Sequence, residues 1–132
     1  MTLRFLPALL ATAAATLLAH HSVSAEFDKA KETTYKATVE KVQWINPHVL
    51  FTAKVADAKG SEVWTFELGS PNGLPKQGWT KNTLKEGDVL TIQAFPAKDG
   101  SHKGTVTRIT WADGTTRENK DAWSTWMPLN MK

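Results

Sequence analysis

The sequence predicts one all-β domain, an OB-like barrel of five to six strands with a short helical connection between strands three and four. Two observations point there. From Thr33 onward, short runs of alternating apolar and polar residues are cut by turn signals, and that rhythm breaks once, between Ser70 and Gly87. Three strands, a helical connection and two more strands, the first of them long and bent, is the order of an OB barrel. A β-sandwich would need more strands than the sequence offers.

Ahead of the strands lies a leader. Arg4 precedes a largely apolar run from Phe5 to Leu18 that ends at Ala19-His20-His21-Ser22. This is the layout of a secretory signal peptide, too short to span a membrane. Residues 1–19 are expected to be removed, leaving 20–132 as a single barrel domain with a tail from about residue 118. Cleavage after Ala19 places Leu17 at position −3, whereas the alternative cut after Ala25 places Val23 there, a better match, and discards both histidines.

The first strand spans Thr34 to Trp44. Tyr35, Ala37 and Val39 alternate on one face, and the pattern resumes one residue out of phase at Val42 and Trp44. A β-bulge near Glu40-Lys41 absorbs such a slip and bends the strand. Val49, Phe51, Ala53 and Val55 make the second strand, closed by a turn at Asp57-Ala58-Lys59-Gly60, and Trp64, Phe66 and Leu68 make the third. In the interruption, Ser70-Pro71-Asn72-Gly73-Leu74 reads as a capped turn or short helix, with Ser70 available as an N-cap and Pro71 at the first helical position. Asp88 to Phe95 is the fourth strand, Lys98-Asp99-Gly100-Ser101 the next turn, and Gly104 to Trp111 the fifth. A short polar run after Asp113-Gly114 is the sixth, placed to fray.

Composition narrows function. The 132-residue chain carries a formal charge of +3, of which Arg4 leaves with the leader, and it has no run of Lys or Arg, so nucleic acid is a poor partner. With no cysteine there is neither a disulfide nor a thiolate metal site, so any metal must use imidazole, carboxylate, amine or backbone groups. No later apolar stretch approaches membrane-spanning length, which predicts a periplasmic or secreted product with no transmembrane segment. GxSxG, HExxH and a phosphate-cradling glycine loop are all missing, which disfavours hydrolases.

Histidine placement is the sharpest functional signal. A cut before His20 gives a terminal amine beside two imidazoles, nitrogen ligands that suit Cu(II) and are tolerable for Zn(II) or Ni(II). His48 follows Trp44-Ile45-Asn46-Pro47, where Pro47 restricts the backbone and holds the ring in a fixed direction. In an OB barrel the loop between strands one and two and the loop between strands four and five flank one face. That places His48 and His102 as neighbours, with Glu67 available to orient a histidine ring and with Glu26 and Asp28 as nearby oxygen donors. Each has a plainer reading as a hydrogen-bonding or solvent-facing residue. Of six tryptophans, Trp44, Trp64 and Trp111 read as core and Trp79 as a plug at one barrel end. Trp123 and Trp126, with Met127 and Met131, read as a segment folded back on the barrel.

His20-His21-Ser22, Glu26-Phe27-Asp28, Trp44-Ile45-Asn46-Pro47-His48, Trp64 with Glu67-Leu68-Gly69-Ser70-Pro71, Gly78-Trp79-Thr80 and Leu84-Lys85-Glu86-Gly87-Asp88 together resemble a small exported bacterial family of unknown function. Its members typically begin the mature chain with HHS and carry an NPH turn. The resemblance implies cleavage before His20; Leu17, and Glu86 where the family usually has proline, are departures from it. It implies no activity.

The resulting expectation is an exported non-enzymatic binding protein that holds copper or a related transition metal through His20, His21 and His48, beside a binding face of Glu67, His102 and Trp44. The alternative is a metal-independent module that binds a small ligand or a periplasmic protein partner through the barrel face and its tryptophans. A copper oxygenase ranks third, because the sequence offers no substrate cleft for one.

Overall fold

The computed structural model describes residues 23–124. His20, His21, the expected leader and the tail residues Trp126, Met127 and Met131 lie outside them.

Strand β1 (Thr33–Gln43) is the hub of the sheet, pairing with β2 (Leu50–Asp57) on one side and β4 (Val89–Pro96) on the other. Tyr35, Ala37 and Val39 point inward and are buried. The register with β2 runs Val39↔Ala53 and then Lys41↔Thr52, so Glu40 is the extra residue of a bulge where the phase of the sequence slips. At that point β1 leaves β4. Val39 N–H donates to the Asp88 carbonyl at 2.9 Å, and Gly87 N–H donates to the Val39 carbonyl at 2.8 Å.

β2 turns into β3 (Gly60–Glu67), and the connection that follows combines a capped turn with a short helical segment. Ser70 Oγ does accept the Gly73 N–H, at 2.9 Å, but the Ser70 carbonyl also accepts from Gly73 and Leu74, so residues 70–74 close as a turn. The helical segment is a 3₁₀ turn further on, Leu74–Gln77, with Pro75 rather than Pro71 at its start. After β4 the chain forms β5 (Lys103–Trp111) and β6 (Thr116–Glu118). The sixth run is a paired strand, with Arg108, Ile109 and Thr110 of β5 opposite it.

Closure comes from β5, which is antiparallel to β4 and parallel to β3 through Thr65↔Lys103, Phe66↔Gly104 and Glu67↔Thr105. The result is a closed five-stranded OB-like barrel with β6 added to β5. Gly104 permits the closure, since a Cβ there would lie 3.3 Å from both Ala94 Cβ and the Phe66 ring. Inside, Phe51, Phe66, Leu74, Leu90, Ile92, Val106 and Ile109 are enclosed, and Trp79 plugs one end with its indole N–H donated to the Glu118 carbonyl at 3.1 Å. Burying each large side chain of this set contributes about 1.5–3 kcal/mol.

A second, smaller apolar cluster sits outside the barrel. Phe27, Phe95 and Ala97 form it, and Trp123 stands edge-on to Phe95 with ring centroids 5.0 Å apart. A one-turn helix α1 (Val23–Glu26) precedes Phe27 and another, α2 (Asp121–Ser124), carries Trp123; the sequence pattern had indicated neither. Backbone hydrogen bonds from Asp28 to Pro96 (2.8 Å) and from Lys98 to Glu26 (2.9 Å) tie the amino-terminal segment to the β4–β5 turn. Among the described residues no helix is long and apolar enough to cross a membrane.

Candidate functional site

Glu67 is the last residue of β3 and, by alternation, faces away from the core that holds Phe66. It is nevertheless well covered, with a side chain only 16% exposed. Burial pushes its carboxyl from the ordinary 4.5 up to about 7; the negative charge of Glu26 adds to the rise and Lys103 opposes it. A carboxylate that changes charge near neutral pH, on the outer face between the β1–β2 and β4–β5 loops, is the most distinctive group in the fold.

His48 stands beside it. The Asn46–Pro47 peptide bond is cis. Just after it, Val49 extends the β2–β3 ladder, donating to the Gly69 carbonyl at 2.9 Å and accepting from Leu68 N–H at 2.8 Å. Those bonds anchor the residue next to His48, whose Nδ1 lies 3.6 Å from Glu67 Oε1. Nδ1 therefore faces the carboxylate, and Nε2 has no hydrogen-bonding partner among the described residues. At 3.6 Å the pair is an ion-pair contact rather than a hydrogen bond, and it leaves Nε2 available.

The β4–β5 loop reaches the same face through Lys103 rather than His102. Lys103 Nζ is 3.0 Å from Glu26 Oε1, and that hydrogen bond and charge hold the lysine above its usual pKa. His102 is engaged elsewhere. Its Nε2 lies 3.1 Å from Glu62 Oε2 and its ring stacks on Trp64 with centroids 5.0 Å apart. Glu62 and Glu67 are separated by about 16 Å of strand, so the two histidines mark different stretches of β3. Trp44 is packed, partly buried, against the core. Asp28 is taken up by Ala30 N–H at 3.0 Å and by Lys31 at 3.7 Å.

Next to His48 and Glu67 opens a cavity of about 270 Å³, walled also by Leu68, Gly69, Thr105, Asn119 and Asp121. Asn119 and Asp121 were not among the residues the sequence singled out. They lie about fifty residues beyond Glu67, and only the return of the chain through β5 and β6 into α2 brings them there, so no local spacing announces them. Asp121 Oδ1 accepts from Gln77 Nε2 at 3.0 Å, and Gly69 leaves room for the carboxylate, since a Cβ at that position would come within 1.8 Å of Oδ2. Among the described residues no three His, Asp or Glu side chains gather closely enough to hold a metal ion.

The fold and this site define a class: a small OB-like barrel whose outer face carries a histidine–carboxylate pair beside a polar cavity. A model of a family of unknown function, DUF6152, matches residues 8–113, and the chain belongs to that family. Neither a curated protein nor a solved structure matches it.

Proposed function

We propose that this chain is an exported, non-enzymatic binding protein that holds copper, or a related late transition metal, between His48 and the amino-terminal His20 and His21, in the periplasm or the medium. The observation that carries the reading is the His48–Glu67 pair, which leaves Nε2 available, on the face where the amino-terminal segment is anchored. Glu26 of α1 pairs with Lys103, and its charge is felt by Glu67. His20 precedes Val23 by three residues, a reach of about 10 Å. A terminal amine and imidazoles added to His48 supply the nitrogen set that Cu(II) favours. Because the described residues hold no complete ligand set, the reading depends on those amino-terminal donors.

The test is the intact mass of the exported protein, purified without an amino-terminal tag, before and after one equivalent of Cu(II). A chain beginning at His20 that retains copper, with retention lost in His48→Ala, is the expected result. A chain beginning at Glu26, or one that retains no copper, removes the metal reading and leaves the metal-independent module.

A further inference from the structure

Arg117 of β6 is a half-buried cation that the fold leaves without an anion. Its guanidinium lies against the corner where the 3₁₀ turn ends, since a Cβ at Gly78 would come within 2.9 Å of Nη1. Gly78 adopts φ +87°, a conformation that favours glycine, and the missing side chain makes the room. Among the described residues the guanidinium has neither a hydrogen bond nor an ion pair, whereas Arg108 is bonded to Glu118 at 2.6 Å.

The carboxylates of the neighbouring segments are committed. Glu118 is taken by Arg108. Asp113 accepts the Thr115 N–H at 2.8 Å and the Thr115 hydroxyl as well. Asp88 Oδ2 accepts the Trp111 indole N–H at 3.0 Å and the Lys85 N–H at 3.0 Å.

Arg117 lines a cavity of about 240 Å³ together with Thr83, Trp111, Asp113 and Thr115, none of which belongs to the His48 face. With its N–H spent on Asp88, Trp111 offers the cavity carbon surface. Thr83 Oγ1 accepts the Thr80 N–H at 2.8 Å. The uncommitted polar group in the wall is therefore the guanidinium, a planar fork of N–H donors that matches a carboxylate through two parallel bonds. Asp113 limits the charge that can enter, because a second carboxylate in the wall disfavours a dianion and leaves a monoanion as the match. The volume is below the roughly 300–1,000 Å³ that takes drug-sized molecules, and an indole surface suits a flat apolar body. We propose that this cavity binds a small aromatic monocarboxylate, with Arg117 holding the carboxylate and Trp111 packing against the ring.

This goes beyond the metal reading. The probe is benzoate, titrated at pH 7.5 and low salt into the copper-free, ¹⁵N-labelled protein, with benzamide as the uncharged control of the same shape and inorganic phosphate as the dianion. Saturable shifts of the Trp111 indole N–H and the Thr115 amide are expected with benzoate, and none with benzamide. Affinity should fall about tenfold or more in Arg117→Gln and by less in Arg117→Lys, which keeps the charge and loses the fork. No saturable benzoate shift at Trp111 overturns the proposal, as do equal binding of benzamide, tighter binding of phosphate or unchanged affinity in Arg117→Gln. The three-probe comparison on the wild-type chain stands even if a variant fails to fold. Copper retention is read through His48 and benzoate through Arg117, so each reading can fail without the other.

Discussion

Replacing Glu67 with glutamine should make stability less dependent on pH, and the size of the effect follows from how the carboxyl is held. Its pKa rises from 4.5 to about 7, chiefly through burial. Since the folded chain then binds this proton more tightly than the unfolded chain, the contribution of Glu67 to folding is fully present below pH 4.5 and is lost as pH rises through about 7. At roughly 1.4 kcal/mol for each tenfold in proton affinity, ionising the buried carboxyl costs about 3 kcal/mol above pH 7. Glutamine keeps the shape and cannot ionise. Urea denaturation of the wild-type chain and Glu67→Gln, with chelator present, from pH 4 to pH 8.5 isolates the group, because every other titration is common to both. The variant should match the wild type near pH 4 and exceed it by about 3 kcal/mol at pH 8. A difference that stays constant across this range would refute the account of Glu67 as a carboxyl held high by burial.

Three further outcomes follow from the same geometry. Lys103→Met removes a cation that lowers the Glu67 pKa, so NMR titration of the Glu67 carboxyl should give a midpoint above 7; a midpoint at or below 7 contradicts the assigned roles. Gly69→Ala places a Cβ 1.8 Å from Asp121 Oδ2 and should cost about 1–3 kcal/mol in chemical denaturation, part of it recovered in the double variant with Asp121→Ala. Trp79→Ala empties a fully enclosed site and should cost about 3–5 kcal/mol; a loss under 1 kcal/mol would mean that Trp79 does not plug the barrel.

What was legible in the sequence was whatever depends on strand periodicity. Val49, Phe51, Ala53 and Val55 alternate because one face of β2 is core, and all four are buried. The phase slip after Val39 located the bulge at Glu40 because an extra residue is the only way to keep both halves of β1 facing inward. Alternation also placed Glu67 on the outer face. It could not reveal the burial of Glu67, because the cover comes from distant parts of the chain that carry no periodic signal. For the same reason Asp121 and Asn119 escaped notice, and His102, placed near His48 by loop position, turned out to stack on Trp64. Of the two readings that Ser70-Pro71-Asn72-Gly73-Leu74 offered, a capped turn or a short helix, the turn is the one formed, and the 3₁₀ segment begins at Leu74 behind it.

The double pairing of β5 bears on how the unfinished chain behaves. A chain that stops at Pro96 can assemble the order β3-β2-β1-β4, with the edge of β3 at Thr65–Glu67 and that of β4 both bare and Phe66 and Phe95 along them. Such edges invite pairing with other molecules. In the whole protein one strand, Lys103–Trp111, covers both. Truncations before Lys103 should therefore aggregate rather than persist as a smaller sheet, and protection against self-association resides in the last third of the chain.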